Sequence, residues 1–325
     1  MRKRKSQGRD LAVKNALIAE DLKKNYGSIL ALDNISFNVL NGEIFGFLGP
    51  NGAGKTTTTN IFTGIIRPTS GVAKIFTFDI SKEPVSAKRL IGIVPQEPFV
   101  YGELSAWDNL MFKAKMHNLG KEERRRKASK LLKEFTLYER RDNKVSTYSG
   151  GMKKLLTMAI ALVHKPKILF LDEPTTGLDV RSSRKIREKI KKLNRTGVTI
   201  FLTTHNMEEA SQLCDRVAII DNGHIISIGT PDKLKKTLQK ELLIELELKV
   251  EPKIQERIKK SVQSFKRIRE IKTIKKGLKI LIEDQSILSD LFHFIHENEI
   301  IISSIYTIKP TLEEAFVRII DQMTE

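Results

Sequence analysis

The glycine-rich segment Gly49–Thr56, Gly-Pro-Asn-Gly-Ala-Gly-Lys-Thr, constrains the fold of this 325-residue chain more than any other feature. Its spacing fits the phosphate-loop pattern G-x-x-x-x-G-K-[ST], in which backbone N–H groups converge on a phosphate. An apolar stretch ends at Leu48 and Thr56–Phe62 can form a helix, so the loop has the strand-loop-helix context that the pattern needs. The expected nucleotide-contacting residues here are Gly49, Asn51, Gly52, Gly54, Lys55, Thr56 and Thr57.

A second segment, Lys167–Pro174, predicts a buried strand that ends in two adjacent carboxylates. If this strand lies beside the strand of the phosphate loop, Asp172 comes close to Mg²⁺, directly or through water, and shares the ion with the hydroxyl of Thr56. Glu173 follows by one residue and can polarise an attacking water. An acidic residue at a strand end means little alone, but together with Lys55 at the terminal phosphates it indicates nucleotide hydrolysis.

The segment between these two motifs contains Tyr148-Ser149-Gly150-Gly151-Met152, which is similar to the signature Leu-Ser-Gly-Gly-Gln of ATP-binding cassette (ABC) transporter subunits. Further elements of that family occur in the expected order at Tyr26, Gln96, Gly177-Leu178-Asp179 and His205. The match covers about residues 16–230 and resembles the nucleotide-binding subunit of such a transporter. Tyr148 and Met152 depart from the family pattern, and Met152 cannot make the polar contacts of a glutamine.

The resemblance implies a role for each of these residues. Tyr26 would stack on adenine, and Gln96 would touch both Mg²⁺ and the attacking water. His205 would hydrogen-bond the terminal phosphate and hold the geometry of Glu173, so the catalytic set is Glu173, His205 and Gln96. The remaining nucleotide-site residues that the resemblance implies are Ser149, Gly150, Gly151, Asp172 and Asp179, and the Mg²⁺ ligands are Thr56, Gln96 and Asp172.

In this family the signature of one subunit faces the phosphates bound by another. The chain has one phosphate loop and one signature, so a complete site needs a second copy or a homologous chain. The resemblance further implies a separate transmembrane permease and a position on the cytoplasmic face of the cell membrane. Two segments, Thr204–Ala210 and Ile308–Phe316, resemble members that export drugs and antibiotics.

The composition is that of a globular protein, with 40% hydrophobic and 30% charged residues, and a single cysteine excludes an internal disulfide. The longest apolar stretches fall short of the roughly 20 residues that cross a bilayer. The net charge of +18 leaves two partners open, nucleic acid and an anionic membrane surface. Transport is favoured over a cytosolic ATPase that acts on nucleic acid or in protein-complex assembly, and no nucleic-acid partner is expected.

The pattern of strands and helices predicts an α/β cassette ATPase with a mainly parallel core sheet, an antiparallel β subdomain and a helical insertion, followed by a small α+β domain. Asn41-Gly42 predicts a hairpin that pairs Ile35–Val39 with Glu43–Leu48 in antiparallel fashion. The C-terminal order is predicted as βαββαβα. The expected divisions are a basic leader (1–15), the ATPase domain (16–240, insertion about 97–165) and the accessory domain (241–325).

Overall fold

The computed structural model describes residues 14–236, 242–248, 252–263, 265, 268–274, 277–282 and 287–308. Within these residues the chain forms two compact units that divide between Pro231 and Asp232. Most of the basic leader, the amphipathic tail helix predicted for about 311–323, and most of the segment 308–316 lie outside the described residues. None of the described helices has the length and hydropathy needed to cross a membrane.

The elements of the first unit follow one another along the chain in a strand-rich order. They are β1 (Asn15–Tyr26), β2 (Ile29–Leu40), β3 (Ile44–Leu48), α1 (Lys55–Phe62), β4 (Ser70–Ile75), β5 (Phe78–Asp79), α2 (Pro84–Lys88), β6 (Ile91–Val94), α3 (Ala106–Met116), α4 (Lys121–Glu134), α5 (Gly150–Ala161), β7 (Ile168–Asp172), α6 (Val180–Arg195), β8 (Thr199–Thr204), α7 (Met207–Leu213), β9 (Arg216–Asp221), β10 (His224–Gly229) and α8 (Pro231–Lys236).

The core sheet has the strand order β10-β9-β3-β8-β7-β6 in the described chain, and its neighbours from β9 to β6 run parallel. All residues of β3 and β8 are buried, which is the pattern of parallel strands covered on both faces. A second sheet, β2-β1-β4-β5, is antiparallel. Phenylalanine rings pack between the two sheets, among them Phe37 of β2 and Phe45 of β3 with centroids 5.8 Å apart.

The hairpin predicted at Asn41-Gly42 is wrong. β2 pairs with β1, whereas β3 pairs in parallel with β8 and β9, so the turn carries the chain from one sheet to the other. The N–H of Gly42 donates to Oγ1 of Thr199 at 2.9 Å, and the amide of Asn194 donates to the carbonyl of Gly42 at 2.7 Å. These long-range contacts, together with a strand buried on both faces, stabilise the crossing over a local hairpin.

The expectation that the strand of Asp172 lies directly beside the phosphate-loop strand is also wrong, because β8 lies between β7 and β3. All three strands are parallel, so their carboxyl ends still meet at one edge of the sheet. Asp172 pairs in register with Thr203, and Leu48 pairs with Thr204. Asp172 therefore reaches the phosphate-loop edge across the end of β8.

The helical insertion connects β6 to β7 and contains α3, α4 and α5. Ser105 caps α3 by accepting a hydrogen bond from the N–H of Asp108 at 3.0 Å, as the sequence predicts. Ser149 caps α5 in the same way through the N–H of Met152 at 3.3 Å. The signature segment therefore forms the beginning of a helix.

The second unit has a β-α-β-β-α-β order, and its helices and strands are β11 (Leu242–Leu248), α9 (Pro252–Gln263), β12 (Ile268–Ile274), β13 (Gly277–Ile282), α10 (Ile287–Glu297) and β14 (Ile302–Ile308). The described strands form an antiparallel sheet of order β12-β13-β11-β14, the arrangement of ferredoxin-like units. The predicted fold class is confirmed: a mainly parallel core sheet, an antiparallel subdomain, a helical insertion and a small α+β unit. The boundaries after residues 15 and 240 remain predictions.

Candidate functional site

The loop between β3 and α1 approaches other backbone so closely that side chains cannot be accommodated. A Cβ at Gly49 would overlap the carbonyl oxygen of Ile220 on β9. Gly54 adopts φ +108°, which L-residues with a Cβ rarely reach, and a Cβ there would lie 2.7 Å from Cδ2 of Leu32. The glycines of the pattern are thus required by the local geometry. Beyond Gly54, the first turn of α1 directs its N–H groups into the loop.

Lys55 is the first residue of α1 and is buried. Its Nζ donates to the carbonyl oxygens of Gly49 at 2.7 Å and Pro50 at 3.0 Å, so the side chain folds back across the loop. Burial lowers the pKa of the Lys55 ammonium, while the carboxylates of Glu173 and Asp172 act in the opposite direction. The lysine therefore lies within the field of both acidic residues. Exposed or half-buried residues complete the loop: Asn51, Gly52, Thr56 and Thr57.

The two carboxylates at the end of β7 have different surroundings. Asp172 accepts a hydrogen bond from the hydroxyl of Thr203 on β8. Glu173 has φ +46°, an uncommon conformation for a residue with a side chain, and its N–H donates to the carbonyl of Thr203 at 3.1 Å. Only 6% of Glu173 is exposed. Strained, buried residues of this kind concentrate at functional sites.

Both carboxylate oxygens of Glu173 have a partner. Oε1 lies 2.8 Å from Nδ1 of His205, and Oε2 accepts a hydrogen bond from the hydroxyl of Thr176 at 2.9 Å. His205 follows β8 directly and is exposed, so the pair combines a buried carboxylate with a solvent-facing imidazole. This arrangement can orient a carboxylate towards a water at the edge of the sheet.

The signature residues contact the beginning of α6. A Cβ at Gly151 would lie 2.7 Å from Oγ of Ser182, so the first turns of α5 and α6 pack closely. Asp179 caps α6, accepting hydrogen bonds from the N–H and hydroxyl of Ser182 at 2.9 Å and 2.6 Å. These bonds hold the pKa of Asp179 below its ordinary value. Ser149 and Gly150 are exposed, and Ser149 directs the N-terminus of α5 outwards.

Tyr26 lies at the end of β1 with its ring largely exposed, and Nζ of Lys24 lies 5.0 Å from the ring centroid. Gln96 follows β6 and its side chain is exposed. The structure thus brings Lys55, Asp172, Glu173 and His205 to one edge of the core sheet. It places Ser149, Gly151 and Asp179 together at the start of α5 and α6.

Glu209 is a residue of this region that the sequence analysis missed. It is buried, and Oε1 accepts a hydrogen bond from the hydroxyl of Thr175, two residues after Glu173. Burial raises the pKa of its carboxyl group. The signal was present, because Asn206 caps α7 and Glu209 stands three residues later, the spacing of a capping box.

Comparisons with known proteins agree with this geometry. Residues 32–176 match the family model described as ABC transporter. The linearmycin resistance ATP-binding protein LnrL of Bacillus subtilis is 46% identical over 218 residues, which are 67% of this chain and 70% of that protein. The doxorubicin resistance ATP-binding protein DrrA of Mycobacterium tuberculosis is 41% identical over 222 residues, 68% of this chain and 67% of that protein.

Among solved structures, the ATP-binding cassette MJ0796, determined as a dimer in a post-hydrolysis state bound to ADP and Pi, superposes with a TM-score of 0.60. The two are 28% identical, and the match covers 66% of this chain and 98% of that one. The cassette fold and the post-hydrolysis nucleotide of that structure agree with a phosphate loop and a hydrolytic edge in the present chain.

Proposed function

This chain belongs to the ABC transporter family, and we propose that it is the ATP-hydrolysing subunit of an exporter whose site is built from the residues described above. One observation carries the proposal: the phosphate loop, the ammonium of Lys55 and the Glu173–His205 pair meet at one edge of the core sheet. This places a phosphate cradle next to a carboxylate that can activate water.

Each residue has a defined task in hydrolysis. The amides of the phosphate loop bind the phosphates, and Lys55 leaves its loop carbonyls to neutralise charge on the terminal phosphate. Glu173 orients or deprotonates the attacking water, while His205 holds this carboxylate and donates to the terminal phosphate. Tyr26 stacks on adenine with the ring face that Lys24 leaves accessible.

The donor set at the edge of the sheet suits Mg²⁺, since a carboxylate, a hydroxyl and an amide oxygen are hard ligands. We assign these roles to Asp172, Thr56 and Gln96. When bound, the ion would supply charge neutralisation on the phosphate oxygens. Asp172 accepts its hydrogen bond from Thr203, which fixes the orientation of the carboxylate before the ion arrives.

The second half of the nucleotide site comes from another copy of the chain. Ser149 and Gly150 are exposed at the N-terminus of α5 and contact elements of the helical region, so they are available to a facing subunit. A helix N-terminus is an anion-binding group, and Ser149, Gly150 and Gly151 would cover the phosphates bound by the partner's loop. The dimer of the related cassette MJ0796 supports this arrangement.

An apolar surface beside Gln96 fits the permease. It consists of Phe99, Tyr101, Phe112 and Met116 and is called the aromatic surface below. Phe99 is 78% exposed, and the ring of Tyr101 lies edge-on to that of Phe112 at 5.3 Å. Exposed apolar patches of this kind mark interaction sites. We propose that a transmembrane permease docks here, at the cytoplasmic face of the membrane.

The drug-resistance relatives favour export over the alternative of an ATPase that acts on nucleic acid or in protein-complex assembly. The high positive charge agrees with a position at an anionic membrane surface. Transport of a drug-like molecule through a separate permease is therefore the function that we propose for the complex.

The purified full chain should hydrolyse ATP in the presence of Mg²⁺, and Lys55→Ala should lose measurable binding of a fluorescent ATP analogue. Unchanged binding by this variant, with a native circular dichroism spectrum, would refute the phosphate-loop assignment. For the permease, a tagged chain expressed in its own host should copurify a protein with several membrane spans. Phe99→Ala with Phe112→Ala should weaken that association, whereas Val85→Ala, which truncates an exposed apolar residue on α2, should not.

A further inference from the structure

Lys154 is a buried lysine in the first half of α5, the helix that begins at the signature segment. Only 3% of it is exposed. Its Nζ donates to the carbonyl oxygens of Pro95 and Gln96, each at 2.8 Å. A buried ammonium carries a large desolvation cost, so its partners must be matched to it. Here the partners are the two backbone carbonyls that begin the Gln96 loop, defined as residues 95–100.

Carboxylates complete the surroundings of this ammonium. Asp172, Glu209 and Glu173 all attract it electrostatically. Lys154 thus links three parts of the molecule: the signature helix, the beginning of the Gln96 loop and the acidic edge of the sheet. An uncharged side chain of the same length would fill the space but leave both carbonyls without this donor.

Two further contacts fasten α5 to β6. A Cβ at Gly92 would lie 2.6 Å from the carbonyl oxygen of Ala161, so the end of the helix presses on the strand. Nε2 of His164, just beyond the helix, lies 2.8 Å from the carbonyl oxygen of Ile91. The helix and the strand therefore form one packed piece. Lys154 extends this attachment beyond the end of β6, to the loop that carries Gln96.

We propose that Lys154 is a positioning residue that fastens the Gln96 loop to the signature helix and thereby holds the Gln96 side chain in place for hydrolysis. The proposal rests on the function proposed above for Gln96. It follows that a displacement of the Gln96 loop by a docked permease would be passed to Ser149 and Gly151 through one side chain.

The test compares three variants of the full chain. Lys154→Met keeps the length of the side chain and removes its donors, and Lys154→Arg keeps the charge and donors. Lys153→Met alters the neighbouring half-buried lysine and serves as the matched control. For each variant, kcat and KM for MgATP, the dissociation constant of a fluorescent ATP analogue and the thermal midpoint are measured.

Lys154→Met should lower kcat by about tenfold to a hundredfold, the effect of a small displacement of a catalytic group, with the dissociation constant within about twofold of wild type. Lys154→Arg should recover part of kcat, and Lys153→Met should equal wild type. A Lys154→Met variant with wild-type kcat overturns the proposal. So does a parallel fall of binding and kcat with a lowered thermal midpoint, since that pattern reports general loss of structure.

A double-mutant cycle tests whether Lys154 acts through Gln96. In a Gln96→Ala background there is no amide left to position, so adding Lys154→Met should change kcat by less than about twofold. Full additivity of the two effects would contradict the proposal. If Gln96→Ala alone keeps wild-type kcat, the role of Gln96 in the proposed function fails instead, and the two failures are thereby distinguished.

Discussion

The Nδ1 atom of His205 lies 2.8 Å from Oε1 of Glu173, and this contact joins the first residues beyond two neighbouring parallel strands. Glu173 follows β7 and His205 follows β8, so the adjacency of the two strands alone brings the side chains together. The carboxylate is buried and held from its other side by Thr176. Its orientation is therefore fixed before any substrate arrives, as an efficient general base requires.

Glu173→Gln should retain ATP binding but lose hydrolysis, because the amide keeps the shape of the side chain and cannot accept a proton from water. We expect kcat to fall by about 10²-fold to 10⁴-fold. MgATP should then hold the chain as a closed dimer, measurable by light scattering after size-exclusion chromatography. Glu208→Gln, an exposed change on α7, is the matched control and should behave as wild type. Wild-type hydrolysis by Glu173→Gln would disprove the catalytic role.

His205→Ala should reduce kcat while leaving the dissociation constant for the ATP analogue nearly unchanged, since the imidazole contacts Glu173 and faces solvent. Because the two residues act as a pair, His205→Ala in a Glu173→Gln background should cost less than it does alone. Steady-state ATPase assays of the four proteins complete the cycle. Independent, additive losses would show that the contact has no part in hydrolysis.

Local motifs carried most of the fold and of the site. The phosphate loop, the carboxylates after a buried strand and the Ser105 cap depend on residues close in sequence, and the helices and strands around them follow the predicted order. The fold class follows from this order, because strands alternating with helices favour a parallel sheet.

Contacts between distant residues account for what the sequence could not predict. The turn at Asn41-Gly42 has the composition of a hairpin, but its hydrogen bonds go to Thr199 and Asn194, more than 150 positions away. The insertion of β8 between β3 and β7 likewise depends on the crossover through α6. Lys154 stands among ordinary helix-forming residues, and only its distant carbonyl partners reveal it.

Gly49→Ala should abolish tight ATP binding, because the added Cβ overlaps the carbonyl oxygen of Ile220 and displaces the loop. Gly120→Ala is the matched control: nothing lies within 4 Å of a Cβ there, and the residue has φ −63° before α4. Equilibrium binding of a fluorescent ATP analogue measures both. Equal affinities for the two variants would contradict the close approach of the loop to β9.

Acid should destabilise the first unit through His117. Its ring stacks on that of His164 with centroids 4.1 Å apart, and burial together with the charges of His164, Lys113 and Lys127 lowers its pKa from 6.5 to about 4. The unfolded chain therefore takes up a proton that the folded one resists. Stability from this source is complete above pH 6.5 and is lost as the pH falls towards 4.

Urea unfolding followed by the fluorescence of Trp107, the single tryptophan, can measure this effect between pH 7 and pH 5. His117→Gln should show a smaller loss of unfolding free energy over that range than wild type. His224→Gln changes an exposed histidine 3.9 Å from Asp33 and should not reduce the loss. If His117→Gln is as acid-sensitive as wild type, the stacked pair is not the source.

Gly277→Ala should destabilise the second unit and leave ATP hydrolysis intact. Gly277 begins β13, and a Cβ there would overlap the carbonyl oxygen of Leu246 on the paired strand β11. Its own carbonyl accepts a hydrogen bond from buried Gln255, so the residue cannot shift without loss of that contact. Hydrogen exchange should therefore accelerate in β11 and β13, while kcat and the dissociation constant for the ATP analogue stay within about twofold of wild type.

Lys272→Ala provides the control for that experiment, because it removes an exposed ion pair with Glu270 on the neighbouring strand, and such pairs contribute little. Faster exchange confined to the second unit in Gly277→Ala would support its independence as a folding unit. A loss of ATP binding in the same variant would mean that the phosphate loop depends on the second unit, and the proposed division of the chain near residue 240 would then be wrong.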